Sequence, residues 1–470
     1  MQYMASQMIY WLDICILIYF ILLNSFYILL VLLSLPDIVQ RFRETNQERF
    51  ENLLKSESIP PITILAPAYN EEAGILPSVR SMLNLSYPHV EVVVINDGSK
   101  DGTLQKMIDE FHMIPVPAAI PITILTQPIL GYYRSRDYPN LKVIDKMNGG
   151  KADSLNAGIN ACSTPFFMAV DADTIIDRDA LRRMVRPMLT RKHTIASGST
   201  IRVANDCRVE FGRVTKVNFP TKPLPAIQVV EYLRAFLFGR LGWNHIGGNL
   251  VISGAFGLFD KAAVVEVGGY LTDTVGEDME LTVRLHRHFR EQKRPYRVQF
   301  IPDPVAWTEV PSDMRSLAKQ RERWHRGLID TLNRHREMFL NPRYGIIGMV
   351  SFPFFVVGEM LAPVVEFVGY VGLVLGLFFH AVNIPFAILF FLAAWGLMII
   401  LTILSIIMEE TTFRKYTRFR DLLKMFFFSV CENIGYRQLT VLWRLKAFYN
   451  YFRGVKNWNK SKRVGFNTTQ

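Results

Sequence analysis

The residues best suited to chemistry are carboxylates placed where apolar runs end. Val170-Asp171-Ala172-Asp173 closes the apolar stretch FFMAVD over 166–171. Side chains at i and i+2 of an extended strand fall on one side, so the two acids are predicted to sit together. Two like charges that close repel unless something positive lies between them. A hard divalent cation with oxygen ligands suits such a pair; a solvated acidic turn is the plainer alternative. A second acidic group, Gly276-Glu277-Asp278-Met279-Glu280, opens a predicted helix. The helix dipole alone favours acids there, but a carboxylate so placed can also take a proton from an attacking hydroxyl. Lys151 follows two glycines in Asn148-Gly149-Gly150-Lys151-Ala152. The glycines let backbone approach a ligand, and a helix N-terminus with a lysine suits phosphate. A flexible turn with a solvated lysine reads the same way. The spacing is not that of a P-loop, so an ATPase has no support.

Three more clusters accompany these. In Pro67-Ala68-Tyr69-Asn70-Glu71, Tyr69 can stack on a base and Glu71 can accept from it, although a tyrosine after a strand is more often core. In Asn96-Asp97-Gly98-Ser99, Asp97 either caps the helix starting near Asp101 or reads a nucleobase or ribose. In Gln320-Arg321-Glu322-Arg323-Trp324, a helix puts Gln320, Arg323 and Trp324 on one face. Arg323 can neutralise a departing pyrophosphate, and Trp324 offers a plane for a sugar. Taken alone, the segment from Met314 to Met338 reads as an amphipathic basic helix anchored at a membrane surface.

The elements that must position these groups follow from the apolar pattern. ITILAPA (62–68), VEVVVIN (90–96), FFMAVD (166–171) and VISGAFGLF (251–259) are predicted as buried strands. Helices are predicted over 72–84, 101–111, 150–160, 177–190 and 278–290. The alternation defines an α/β fold with a mostly parallel sheet and flanking helices. Ligands bind beyond the carboxyl ends of such strands, where the polar motifs lie.

The ends of the chain are different. Half of the 470 residues are hydrophobic, and mean hydropathy is +0.16. Residues 8–35 form an apolar run long enough to span a bilayer. A signal peptide is disfavoured because no Lys or Arg precedes Arg41 and Asp13 comes early. The N-terminus is predicted outside and the residues after Arg41 inside. Residues 345–379 predict one tilted span after a shallow segment around Phe352 to Phe355. Within it, Glu359 and Glu366 share a helix face, either lining a translocation path or forming a structural pair. Residues 383–408 predict a third span. Residues 425–450 carry Glu432, Arg437, Gln438 and Arg444, so an interfacial or re-entrant helix is preferred, with a fourth span over 425–445 as the alternative. The net charge of +11 gathers beside apolar segments, which points to membrane lipid and not to nucleic acid. The four cysteines have no CxxC spacing and define neither a disulfide framework nor a zinc site. The layout is an N-terminal transmembrane helix (1–40), a catalytic domain (41–312), an amphipathic helix (313–342), two transmembrane helices (343–408) and a basic C-terminal region (409–470).

In order, NDGS, GGKA, DAD, SGAFG, GED and QRERW resemble the motifs of the processive family 2 glycosyltransferases, which include cellulose, chitin, hyaluronan and poly-N-acetylglucosamine synthases. The resemblance covers about 60–330 by motif and the rest by membrane layout. It implies a GT-A-type domain and an inverting reaction. Tyr69, Glu71 and Asp97 would bind the base and ribose of UDP. Lys151 and Asp171 would hold the donor, and Asp173 would coordinate Mg²⁺ or Mn²⁺ through the diphosphate. Ser253, Gly254 and Ala255 would lie against the acceptor, and Asp278, beside Glu277, would be the general base. Gln320, Arg323 and Trp324 would hold the leaving diphosphate and the acceptor sugar at a channel mouth. Gln228, Glu231 and Tyr232 match a helix common in these synthases, with no chemistry assigned to them. Trp458 and Arg463 resemble a stretched Trp-Gly-x-Arg gating loop whose spacing departs from the usual one. The implied partners are a UDP-sugar (UDP-GlcNAc or UDP-glucose), a polysaccharide acceptor, membrane lipid and an accessory secretion protein. The implied location is the inner membrane, multi-pass, with the catalytic domain cytoplasmic. Two alternatives stand beside this. A non-processive transferase acting on a lipid-phosphate acceptor would usually lack the Gln-x-x-Arg-Trp helix. An inactive transporter or scaffold would be expected to have lost its carboxylates.

Overall fold

The structure is a computed structural model that describes residues 2–43, 59–117, 120–378, 384–413, 415–416 and 418–455. Trp458 and Arg463 lie outside the described residues.

The twelve strands are β1 (Ile62–Ala68), β2 (Val90–Asp97), β3 (Met113–Pro115), β4 (Ile129–Ser135), β5 (Leu141–Lys146), β6 (Phe166–Val170), β7 (Ile175–Ile176), β8 (Thr194–Val203), β9 (Arg208–Glu210), β10 (Arg213–Lys216), β11 (Phe256–Asp260) and β12 (Arg297–Thr308). All but β9 and β10 form one sheet in the order β3-β4-β5-β2-β1-β6-β11-β8-β12-β7. Strands β5, β2, β1 and β6 run parallel, as expected. The sheet is mixed beyond them, because β11 enters antiparallel between β6 and β8 and β4 pairs antiparallel with β5.

The apolar runs are continuous because both faces of the central strands are covered. Ile62, Ile64, Val92 and Val94 pack into one core layer. Their neighbours Leu65, Val93 and Ile95 pack into the other, against Leu155 and Ile159 of the Lys151–Ala161 helix. The parallel strands therefore end together, and their following loops meet at one edge.

The apolar N-terminal helix packs against the Arg240–Ile246 helix of this domain. Gln2–Arg43 is one helix. Among the described residues, two helical stretches are long and apolar enough to cross a membrane, Tyr10–Pro36 and Ile347–Phe378. The second bends at Leu361 before the Ala362–Phe378 helix. Pro363 sits just past the bend; its ring removes a backbone N–H and clashes with the preceding turn. Residues 425–445 do not form one helix: the Phe419–Cys431 and Arg437–Phe452 helices are separated by non-helical Ile434 and Gly435, the latter at φ 80°. The Arg437–Phe452 helix packs along the Met314–Arg334 helix and the Ala362–Phe378 helix.

Candidate active site

Asp97 ends β2 and lies in register with Lys146 at the end of β5. Lys146 is fully buried. Its Nζ donates to Asp97 Oδ1 at 2.7 Å and lies 2.6 Å from Asp153 Oδ2. Asp97 also accepts from the backbone N–H groups of Gly149 (2.9 Å) and Gly150 (2.8 Å) and from Asn148 Nδ2 (3.1 Å). A carboxylate offers about four lone-pair sites, so Asp97 is committed to shaping the 148–150 loop. It does not cap the following helix, whose N-cap is Gly102; Asp101 accepts from Thr103 there instead. Gly98 has φ +65°, and a Cβ would lie 2.9 Å from Asn148 N, so the turn requires glycine.

Lys151, the first residue of its helix, reaches across to the other acids. Its Nζ lies 2.5 Å from Asp171 Oδ1, donates to Gly254 O at 2.8 Å and stands 3.7 Å from Glu277 Oε1. Burial would lower the lysine pKa, but Asp171, Glu277 and Asp278 together raise it. Burial also raises the pKa of Glu277; Lys151 opposes this and Asp278 adds to it. Strand β6 ends at Val170, so Asp171 and Asp173 sit on a turn and not on the alternating strand predicted for them. Both face the same cavity, with Asp173 the more deeply buried.

The strand predicted over 251–259 begins only at Phe256, and 251–255 is a loop. The loop lets Gly254 N–H donate to Asp278 Oδ2 at 2.8 Å. A Cβ on Gly254 would meet that oxygen at 2.9 Å and Lys151 Nζ at 3.1 Å. Asp278 Oδ1 accepts from Met279 N at 2.8 Å. Two backbone amides thus orient Asp278, and each oxygen keeps acceptor capacity.

The Met314–Arg334 helix starts at Asp313, which accepts from Ser316 N. Trp324 is 42% exposed. Arg321 stacks over its ring at 4.7 Å, and Tyr232 lies 6.5 Å away. Arg321 also donates to both oxygens of Glu231, at 2.8 and 2.7 Å, and Tyr436 donates to Glu231 at 3.0 Å. This gives the Gln228–Glu231–Tyr232 segment a geometric role: Glu231 holds Arg321, and Tyr232 flanks Trp324.

One cavity of about 650 Å³ gathers these groups. It is lined by Tyr69, Glu71, Asp97, Lys151, Asp171 and Asp173, by Ser253, Gly254, Ala255, Glu277 and Asp278, and by Gln320, Arg323 and Trp324. Every site residue expected from the sequence within 59–455 is therefore brought together. Lys146, Asp153 and the Arg321–Glu231 pair were missed. A lysine at a strand end reads as solvated, and only the acids Asp97 and Asp153 on either side hinted otherwise.

The structure is an α/β domain with an acid-rich cavity at the carboxyl ends of its parallel strands, lined on one side by a basic aromatic helix. The chain belongs to glycosyl transferase family group 2, whose model matches residues 166–408, and the glycosyl transferase family 2 model matches 63–118. It is 30% identical over 278 residues to a poly-β-1,6-N-acetyl-D-glucosamine synthase of Staphylococcus epidermidis, covering 58% of this chain and 57% of that protein. The protein of the same name from Staphylococcus aureus strain COL is 30% identical over 275 residues, covering 58% and 55%. The matched segment thus spans little more than half the length of these relatives. Among solved structures, a mannosyltransferase from Pyrobaculum calidifontis in complex with GDP-Man and Mn²⁺ aligns at TM-score 0.49 and 17% identity over 88% of this chain and 99% of that one. Staphylococcus aureus TarS 1-349 in complex with UDP-GlcNAc aligns at 0.41 and 14% over 80% and 92%.

Proposed function

We propose that this chain is a membrane-bound inverting transferase that moves a sugar from a UDP-sugar onto a growing polysaccharide. UDP-N-acetylglucosamine is the first candidate donor, by similarity to the staphylococcal synthases, and UDP-glucose the second. The observation that carries the reading is the single cavity joining the Asp171–Asp173 turn, Lys151, Asp278 and the Trp324 helix.

The cavity lining fits a divalent ion. Ten carboxylates and five Lys or Arg side chains line it, so a diphosphate entering needs added positive charge. Among the described residues no three His, Cys, Asp or Glu side chains cluster as a complete metal site. Asp173 would therefore hold Mg²⁺ or Mn²⁺ jointly with diphosphate oxygens, a hard-oxygen set that suits either ion. When bound, the ion supplies charge neutralisation on the leaving diphosphate.

The protein's own groups do the rest. Lys151, fixed by Asp171 and Gly254 O, presents its ammonium to the phosphates from a helix start. The Asp278 carboxylate takes the proton of the acceptor hydroxyl as the new C–O bond forms at the anomeric carbon and the bond to the phosphate oxygen breaks. UDP departs with the bonding electron pair, and Arg323 stabilises its charge. Trp324 offers its face to the acceptor sugar.

The two long apolar stretches support membrane residence. A second cavity of about 370 Å³ lies among the apolar helices and shares lining residues with the first, which supports export of the product along that path.

The test is UDP release by detergent-purified protein with Mg²⁺ or Mn²⁺, across UDP-GlcNAc, UDP-glucose, UDP-galactose and UDP-glucuronate. One donor should turn over into a product too large for a single transfer. Asp278→Asn should lower kcat by about 10²–10⁴-fold with donor KM little changed. EDTA should abolish release and excess Mg²⁺ or Mn²⁺ restore it. Persistent release by Asp278→Asn would overturn the base assignment.

A further inference from the structure

The two cavities share six lining residues: Glu231, Ala235, Arg240, Val251, Phe355 and Glu359. Three of these carry charge. Glu231 is taken by Arg321 and Tyr436. Glu359 accepts from Tyr27 at 2.7 Å and lies 3.9 Å from Arg444. Arg240 is different. Its guanidinium lies over Phe236 at 4.4 Å and faces Phe300 at 5.8 Å. Its Nη1 is shielded from solvent and has no hydrogen-bonding partner among the described residues. Burial lowers its pKa to about 10, partly opposed by the charge of Asp278. At neutral pH it is still a cation, held where the catalytic cavity opens toward the apolar helices.

A buried donor without a partner is costly, and such a group at the mouth of a cavity is explained by a ligand that completes it. The two acids that share this opening, Glu231 and Glu359, are already engaged, and a ligand oxygen would supply the acceptor that Nη1 lacks. Arg240 lines both the cavity that holds Asp278 and the one among the apolar helices, the side on which the proposed product path lies. Phe236, against which the guanidinium lies, also lines the cavity. We propose that Arg240 binds the acceptor saccharide, its guanidinium donating to a hydroxyl or acyl-carbonyl oxygen of the sugar next to the reacting end. This assignment rests on the transferase reading above and adds a residue to it.

The test uses the full chain in detergent with N-acetylglucosamine oligosaccharides as soluble acceptors. Arg240→Met keeps the stem on Phe236 and removes the donors; Arg240→Lys keeps the charge. At saturating UDP-GlcNAc, R240M should raise the acceptor KM about ten- to hundred-fold, the range for a hydrogen bond from a charged group. The UDP-GlcNAc KM should stay within about two-fold, and R240K should recover part of the loss. An unchanged acceptor KM in R240M that still binds UDP-GlcNAc overturns the proposal, and so does a donor KM that rises in step. If the wild-type chain turns over no UDP-sugar, the transferase reading fails by itself. The thermal shift produced by the oligosaccharides then decides for Arg240: a saturable shift lost in R240M sustains the site, and an equal or absent shift overturns it.

Discussion

The two cavities treat charge in opposite ways. Ten carboxylates and five cations line the catalytic cavity, and its acids are held largely by backbone amides and lysines: Asp97 by Gly149, Gly150 and Lys146, Asp278 by Gly254 and Met279, Asp171 by Lys151. Four carboxylates and four arginines line the cavity among the apolar helices. There acids meet guanidinium groups in pairs: Glu366 with Arg437 at 2.9 Å, Glu359 with Arg444, Glu432 with Arg234. The contrast teaches what each cavity can accept. An excess of fixed acid suits a charged donor that arrives with a cation. A set balanced in number and mostly paired suits a neutral, hydroxyl-rich chain.

If the catalytic side depends on amide- and lysine-held acids, Lys146 is its most sensitive point. Lys146→Met leaves Asp97 and Asp153 facing each other in a dry site. Breaking a buried pair by removing one partner costs about 3–5 kcal/mol, so the variant should lose most of its denaturation midpoint or fail to accumulate. A variant of wild-type stability would show that the pair of acids is neutralised by other means.

The apolar side should respond as discrete pairs. Arg437→Met strands Glu366, with a loss of about 2–3 kcal/mol after allowing for partial exposure. Adding Glu366→Gln should restore much of it, because the pair and not either residue is the unit. A strictly additive double mutant in a thermal-unfolding cycle would break the comparison.

Acid should reach the catalytic side through His286. Its Nε2–H donates to Asn249 O at 2.7 Å, so Nδ1 accepts from Tyr296 Oη at 2.8 Å, a fully used neutral imidazole. Burial lowers its pKa to about 4. The unfolded histidine titrates near 6.5. Stability should therefore be constant from this group above that pH and fall as pH drops from about 6.5 toward 4. His286→Gln should flatten the fall in that window in unfolding curves taken at several pH values, at a modest cost in stability above it. An unaltered slope would remove His286 as the cause.

The positions of the motifs were legible because the strands before them are apolar on most residues. Such runs are buried on both faces and end where polar loops begin, as at Ala68, Asp97 and Val170. Strands β8 and β12 were not legible: TIASGSTIRV is small and polar, yet every residue of it is buried between neighbouring strands. The loop at 251–255 read as strand because an apolar run does not reveal where pairing stops. The i, i+7 spacing of Glu359 and Glu366 was visible, and so were Arg437 and Arg444 at the same spacing. That the two ladders face each other depends on antiparallel helix packing, which no local pattern encodes. Lys146 was missed for the same reason, since its partners come from two other elements.

Pro363 has no N–H to give the carbonyl four residues before it, which belongs to Glu359. That carbonyl accepts instead from the Arg444 guanidinium, whose Nε also points at His325 Nδ1 at 3.2 Å. The backbone of the second apolar stretch is thus completed by a residue made 85 positions later. Until the Arg437–Phe452 helix has been made, that carbonyl lacks this donor. A truncated chain ending before Arg444 would leave the Glu359 carbonyl without this donor, a loss that costs most where water is excluded. The segment that packs along the Trp324 helix is therefore also the one that completes the backbone of the second apolar stretch.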